Sequence, residues 1–344
     1  KVMMQSAATA FATEASLSSP ESQYGGNPSA DNENSSSMER MMPGFMTSNN
    51  QSHNSRTTSP GEASNSIRKL YTDGEYEGTV DEEGERDGFG RMKYIEGDVY
   101  EGEWREDRME GRGTMIYADG DKYVGCFIQG NFHGEGEYFY KNGDYYRGEW
   151  KNDSFDGEGV YQDHKGSKYQ GTWKKDKMHG FGKYLDAKGN LYEGSFQEGK
   201  FHGVGRLQYI NGDYYEGHFV IGKRHGQGQC KDVDGNLYEG MWSDDKKHGF
   251  GTYRDLLGGT YKGNYVRGVR DGPGSYFWPD GQVDIVLCKE DVRVGEGVGW
   301  SGDRKRAWRM IDGEYVCDVT LSQAHQIAAG IGVNAQDVIS APTT

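Results

Sequence analysis

From Tyr76 onward the chain obeys a fixed period. Tyr-x-Gly begins at Tyr76, Tyr100, Tyr123, Tyr146, Tyr169, Tyr192, Tyr215, Tyr238 and Tyr261, with a first spacing of 24 residues and 23 thereafter. Gly-x-Gly begins at Gly88 and returns every 23 residues to Gly295. The extra residue of the first unit therefore falls in the segment VDEEGERDG, 80–88. A period sustained this long marks a repeat array, in which each unit is one supersecondary element that buries its apolar face only against its neighbours.

Each unit reads as two short strands. In YEGEW (100–104) Tyr, Gly and Trp stand two apart and so share one face. The Trp position is always aromatic: Trp104, Phe127, Trp150, Trp173, Phe196, Phe219, Trp242 and Tyr265. A six-residue loop is expected next, with Asp or Gly at its third position, as at Asp107, Gly130 and Asp153. The second strand is expected to begin at Gly-x-Gly and to close on a three-residue turn such as KNG (141–143), with glycine in the left-handed conformation. That register sets Trp150 against Gly134 and Gly157, so that the indole lies over glycines, and sets Tyr146 against Tyr138 and Tyr161.

Composition agrees with this burial scheme. Only 33% of the chain is hydrophobic, while 54 residues are glycine and 24 are tyrosine. Aromatic rings must therefore supply the core that aliphatic side chains usually provide. The expected fold is all-β: an elongated single-layer antiparallel sheet of tandem 23-residue β-hairpin repeats, with roughly 18–20 strands at about 4.8 Å spacing. Residues 1–70, rich in Ser, Asn, Met and Thr, read as a disordered tail. Its Ser19-Pro20 and Ser59-Pro60 are candidate phosphorylation sites. Residues 71–283 read as nine repeats, and 284–344 as a degenerate tenth repeat plus a capping helix, with a capping box at Thr320 and Gln323.

The array offers little to chemistry. Position −1 to the first glycine of Gly-x-Gly holds His133, His179, His202, His225 and His248 among acidic residues. Equivalent positions lie two strands apart, roughly 9.6 Å. Ligands of one zinc sit about 2.0–2.1 Å from the ion and hence within about 4 Å of each other, so neighbouring repeats cannot share a metal. Gly-x-Gly leads into a strand rather than a helix N-terminus, which argues against a phosphate loop. No Gly-x-Ser-x-Gly occurs, and Cys126, Cys230, Cys288 and Cys317 are isolated, so no catalytic, cofactor or metal site is expected. The cysteine spacing and the lack of an apolar run long enough to span a bilayer predict a reduced, cytoplasmic setting.

The net charge of −15 argues against nucleic acid as a partner. It is unevenly placed: residues 71–110 hold 15 acidic against 5 basic residues, a net of −10, and 161–230 hold 7 against 11, a net of +4. The basic middle supplies candidate anionic-lipid contacts: Lys168, Lys174, Lys175, Lys177, Lys183, Lys200, Lys223 and Arg224. Aromatic and aliphatic residues off the stripe (Phe139, Tyr145, Phe181, Leu185 and Leu191) form a candidate surface for a protein partner.

The unit YEGEWREDRMEGRGTMIYADGDKY resembles the MORN repeat, the membrane occupation and recognition nexus motif, over about 71–282. The resemblance implies stacked hairpins in an extended, twisted sheet and a role in scaffolding protein assemblies at cilia, flagella or the cytoskeleton. Tethering to phosphoinositide membranes is the alternative it implies. Enzymatic relatives carry a separate catalytic domain, and the 61 residues 284–344 are too few for one. A regulatory part of an enzyme whose catalytic domain is absent from this chain is a further alternative. The reading is a non-catalytic scaffold, associated with the cytoskeleton or a membrane, that takes other proteins as partners.

Overall fold

A computed structural model describes residues 66–339. They form one open antiparallel sheet of 23 strands, from β1 (Ser66–Tyr71) to β23 (Glu314–Val319), each paired with the next. The unit built from β7 (Asn131–Phe139), β8 (Tyr145–Lys151) and β9 (Ser154–Gln162) shows how the period produces this sheet.

β7 and β8 are joined by Lys141-Asn142-Gly143. The Tyr140 N–H donates to the Asp144 carbonyl at 3.0 Å, and Gly143 adopts φ +92°. The expected three-residue turn therefore forms, and Tyr146 faces both Tyr138 and Tyr161. The other connection differs from expectation. β8 and β9 are joined by only Asn152 and Asp153, at φ +48° and +65°, a two-residue turn in place of a six-residue loop. Positive φ at both central positions matches the right-handed twist of the flanking strands, and Asn, Asp and Gly tolerate it best.

The second strand consequently starts earlier and absorbs two extra residues as a bulge, since β9 takes four steps from Gly159 to Phe155 where β8 takes two from Gly148 to Trp150. Trp150 faces Gly134 on β7 as expected, but on β9 it faces Phe155 rather than Gly157. Gly157, at φ +115°, is the bulge residue, and register shifts between Gly148 and Trp150. The left-handed backbone there explains why the first glycine of Gly-x-Gly recurs.

The second glycine has another cause. A Cβ on Gly159 would lie 2.5 Å from the Tyr146 hydroxyl, and one on Gly148 only 2.5 Å from the Gly159 Cα. The ring over these glycines is the tyrosine, whereas the sequence reading assigned that place to the indole. Trp150 instead stands edge-on to Tyr146, with centroids 5.1 Å apart, and its Nε1–H donates to the Gly136 carbonyl at 3.2 Å. Phe155 stacks on Tyr146 at 3.7 Å. The equivalent of Phe155 varies in chemistry but keeps its place: Arg86 covers Trp104, Phe132 and Phe201 stack on Tyr123 and Tyr192, and Arg224 covers Trp242. These lids bury Tyr123, Tyr146 and Tyr192 completely without a second layer of structure.

Both long edges are stitched between repeats. Asp153 Oδ1 accepts the Phe132 N–H at 2.7 Å, and Asp144 Oδ1 accepts the His164 N–H at 2.9 Å. At the Asp107 turn the partner is Arg86, whose backbone and Nε both donate to Oδ1, at 2.7 and 3.0 Å. Burial alone would raise the Asp107 pKa, but the Arg86 hydrogen bonds and charge outweigh it and hold the carboxyl below its ordinary value. A depressed folded pKa contributes stability that is present above the unfolded pKa and lost as pH falls through the folded one. Asp107→Asn is therefore expected to flatten the acid side of a stability–pH curve below about pH 4. A curve parallel to that of the native chain in urea titrations would refute this role.

The two ends depart from the repeat. Ser66–Leu70, assigned by sequence to the tail, are strand: β1 pairs with β2 (Gly74–Val80), and Tyr71 packs edge-on to Tyr76 at 6.0 Å. Half a unit suffices to cover the first tyrosine, so no period betrays it. Residues 1–65, including both Ser-Pro sites, lie outside the described residues. At the other end, β20 (Val283–Lys289), β21 (Val292–Trp300) and β22 (Ala307–Ile311) carry apolar residues on the face opposite the aromatic stripe. Helix α1 (Leu321–Ile331) packs there, with Ala324 and Ala328 against Ile285, Val298, Trp300 and Ala307. Its capping box at Thr320 and Gln323 forms as the sequence predicts, and Gly332 closes it at φ +88°.

Candidate interaction surface

The aromatic stripe is consumed by its own packing, so the reverse face carries what remains for recognition. Strand alternation sends Phe139, Tyr145, Leu185 and Leu191 to that face in one cross-strand row. Phe139 pairs with Tyr145 at a ring distance of 5.2 Å, and Leu185 pairs with Leu191. Between the two pairs the row holds Gln162 and Lys168, contributed by β9 and β10 (Lys168–Lys174). Phe181 sits on the same face in a second row, opposite Ser195, and is 60% exposed. The structure thus places all five predicted residues on one face, as two neighbouring pairs and one separate ring.

That second row has a feature the sequence reading overlooked. Val204, Met241 and Phe250 occupy it beyond Phe181, and all are exposed. Their signal was the middle residue of Gly-x-Gly or the residue after Tyr-x-Gly, positions that look unconstrained because their identity varies. A third row is charged but largely self-neutralised: Lys183 pairs with Glu193 at 3.1 Å, Arg147 with Glu137 at 3.5 Å and Arg206 with Glu216 at 3.9 Å. Exposed pairs of this kind add little stability.

The cations proposed for lipid do not converge. Lys174, Lys175 and Lys177 lie at the two-residue-turn edge, where Lys177 bonds Glu198 at 2.7 Å, and Lys200 and Lys223 begin later strands along that edge. Lys223 pairs with Asp244 at 3.3 Å. Lys168 and Lys183 lie on the reverse face. Arg224 must be corrected: it is 8% exposed, its Nε bonds Asp245 at 3.1 Å, and its guanidinium lies 4.6 Å from the Trp242 ring centroid. It faces the stripe because it follows Lys223 in a strand, and adjacent residues point to opposite faces. It is a lid on the core and not a surface cation.

Burial also governs the titratable groups of the stripe. It pushes the Tyr76 and Tyr94 hydroxyls up to about 12, and the Cys230 thiol up as well. Lys247, enclosed by the rings of Tyr238 and Tyr253 at 4.8 and 5.0 Å, has its pKa lowered by the same desolvation. These shifts follow from a packed core and need no reacting partner.

An open, single-layer sheet of similar hairpins with a self-burying aromatic face defines a repeat protein of the hairpin-array class. The MORN repeat matches residues 76–99, 100–122, 123–145, 146–168, 169–191, 192–214, 215–237, 238–255 and 261–283. The chain belongs to the MORN-repeat family, whose repeats commonly serve interaction with proteins or membranes and are generally non-catalytic. No curated protein matches it. Among solved structures it is similar to the SAS-4 (dCPAP) TCP domain in complex with a proline-rich motif of Ana2 (dSTIL) of Drosophila melanogaster. That match has 11% identity and a TM-score of 0.24, covering 61% of this chain and 97% of that one. Virginiamycin B lyase from Staphylococcus aureus matches at 9% identity and TM-score 0.14, covering 74% and 94%. Likenesses this low carry no argument. No helix among the described residues is long and apolar enough to cross a membrane.

Proposed function

We propose that this chain is a non-catalytic scaffold whose reverse face, around Phe139, Tyr145, Phe181, Leu185 and Leu191, binds a protein partner in the cytoplasm, at a cilium, flagellum or membrane-associated cytoskeleton. The observation that supports it most is the exposure of Phe181 on a face where the fold has no use for it, while the stripe rings are buried. Apolar side chains clustered at a surface mark contact sites more often than solvated ones do. A phospholipid tether has weaker support, because its cations are divided between an edge and a face and several are ion-paired.

Replacing Phe181, Leu185 and Leu191 together by serine is expected to leave the thermal midpoint within a few degrees of the native value, since surface changes usually cost less than about 0.5 kcal/mol each. The same variant should lose a defined subset of neighbours in proximity labelling. An unchanged neighbour set would defeat the reading. Salt-sensitive flotation with anionic liposomes, abolished by Lys174→Glu with Lys175→Glu, would replace it with the lipid tether.

A further inference from the structure

An open sheet has two terminal strands, and each leaves a row of backbone N–H and C=O groups outside any ladder. Among the described residues these strands are β1, which pairs only with β2, and β23, which pairs only with β22. Helix α1 lies on the reverse face over β20–β22.

The two edges carry opposite charge. β1, SIRKLY, has Arg68 and Lys69 and no acidic residue, whereas β23, EYVCDV, has Glu314 and Asp318 and no basic one. All four are exposed. Each edge also exposes an apolar surface: Leu70 is 80% exposed and Tyr315 62%. We propose that β1 of one copy pairs with β23 of another, so that copies of this chain join end to end by strand addition.

Facing selects a register. Lys69 stands opposite Tyr76 and Ile67 opposite Gly78, which puts both on the stripe face. Tyr315 stands opposite Met310 and Asp318 opposite Trp308, on that same face. Val316 has no counterpart on β22, and with that bulge allowed for, the other five residues of β23 alternate regularly. Neighbouring strands are antiparallel throughout, so β1 and β23 run in the same direction. Copies related by translation along the sheet therefore pair these strands in parallel and keep the stripe on one side. One face-matched register sets Asp318 beside Lys69, Tyr315 beside Ile67 and Val319 beside Leu70, with Glu314 a diagonal neighbour of Arg68.

Arg68 is offset on its own face by Glu75, which it bonds, and by Glu77. The charge match therefore rests chiefly on Lys69, whose amine lies 3.4 Å from the Gly84 carbonyl and 4.6 Å from the Tyr71 ring centroid. On the other edge the Tyr315 hydroxyl donates to Asp318 at 3.3 Å. These contacts are exposed and cheap to exchange. Charge on an edge strand ordinarily blocks pairing. Here each edge repels its own kind and accepts the other, which disfavours β1–β1 and β23–β23 contacts. The resulting interface joins two different surfaces, so growth continues beyond two copies.

Sedimentation velocity on the full 344-residue chain tests this. Its mean mass should climb past that of two copies as concentration rises. Lys69→Glu and Asp318→Lys should each weaken association about tenfold. The two changes in one chain should restore most of it, because the pair is then reversed rather than broken. Both positions are exposed, so circular dichroism should show the fold unchanged. A mass that stays at one copy, stops at two, or is not restored by the double change would overturn the proposal. Arg68→Cys tests the register, since it would stand beside the exposed Cys317 of the next copy. Oxidation with diamide should then give a ladder of disulfide-linked species above the dimer, which the native chain, with no cysteine on β1, should lack. The same pattern from both chains would equally overturn it.

Discussion

Trp150→Ala is expected to destabilise the repeats around it by about 3–5 kcal/mol, the usual cost of emptying a buried aromatic site. Trp150 is 2% exposed and touches rings of two repeats: Tyr123 at 5.3 Å and Phe132 at 5.2 Å on one side, Tyr146 at 5.1 Å and Phe155 at 4.8 Å on the other. In a linear array stability is a sum of unit terms and nearest-neighbour interfaces, and this indole belongs to an interface. Trp150→Phe should cost only about 1–2 kcal/mol: the hydrogen bond to Gly136 and part of the buried area. Phenylalanine already fills the equivalent place at Phe127, Phe196 and Phe219 with similar edge-on contacts. Hydrogen exchange is the suitable measurement, because a long array need not unfold as one unit. Protection should fall most in β7–β9 and least near β1 and β23. A loss spread evenly over all strands, or equal losses for Ala and Phe, would contradict the interface role.

The period made the sheet legible because a fixed spacing survives any uncertainty about a single residue. Tyr146 was placed correctly against Tyr138 and Tyr161, since the alternation runs unbroken from Tyr146 to the three-residue turns. The pairing with β8 shifts at Gly157, where the bulge sets three residues of β9 against Glu149 and hides the true start of β9. Ser154-Phe155-Asp156 therefore looked like loop, and the lid position went unseen. That position is hard to recognise for a second reason. Arginine and phenylalanine lie far apart on a hydropathy scale, yet both present a flat surface to a ring. Arg224 was misread because formal charge says nothing of facing: alternation from Gly226 and Gly228 already turns it to the stripe, opposite Phe219. The candidate face was legible at Phe139, Tyr145, Leu185 and Leu191, which adjoin invariant landmarks. Val204 and Phe250 were not, because one repeat's apolar residue is the next repeat's glutamine.

The glycine row gives the sharpest test of this packing. Gly159→Ala should cost about 1–3 kcal/mol, as overpacking in a filled core does. The new Cβ would fall 2.5 Å from Oη of Tyr146 and 2.8 Å from its Cε2 and Cζ. The ring has nowhere to retreat: it is fully buried, stacked on Phe155, and its hydroxyl donates to the Glu149 carbonyl at 2.9 Å. Gly166→Ala is the contrasting case. A Cβ there would meet no heavy atom beyond the flanking residues within 4 Å, but the residue sits at φ +96°, so its cost of about 1–2 kcal/mol would come from backbone alone. Combining each change with Tyr146→Ala separates the two causes. Removing the ring should erase the penalty of Gly159→Ala, giving a coupling energy of about 1–3 kcal/mol, and should leave that of Gly166→Ala intact. Strict additivity at Gly159 would mean that the tyrosine is not what excludes a side chain there. The second glycine of every repeat would then require a different explanation.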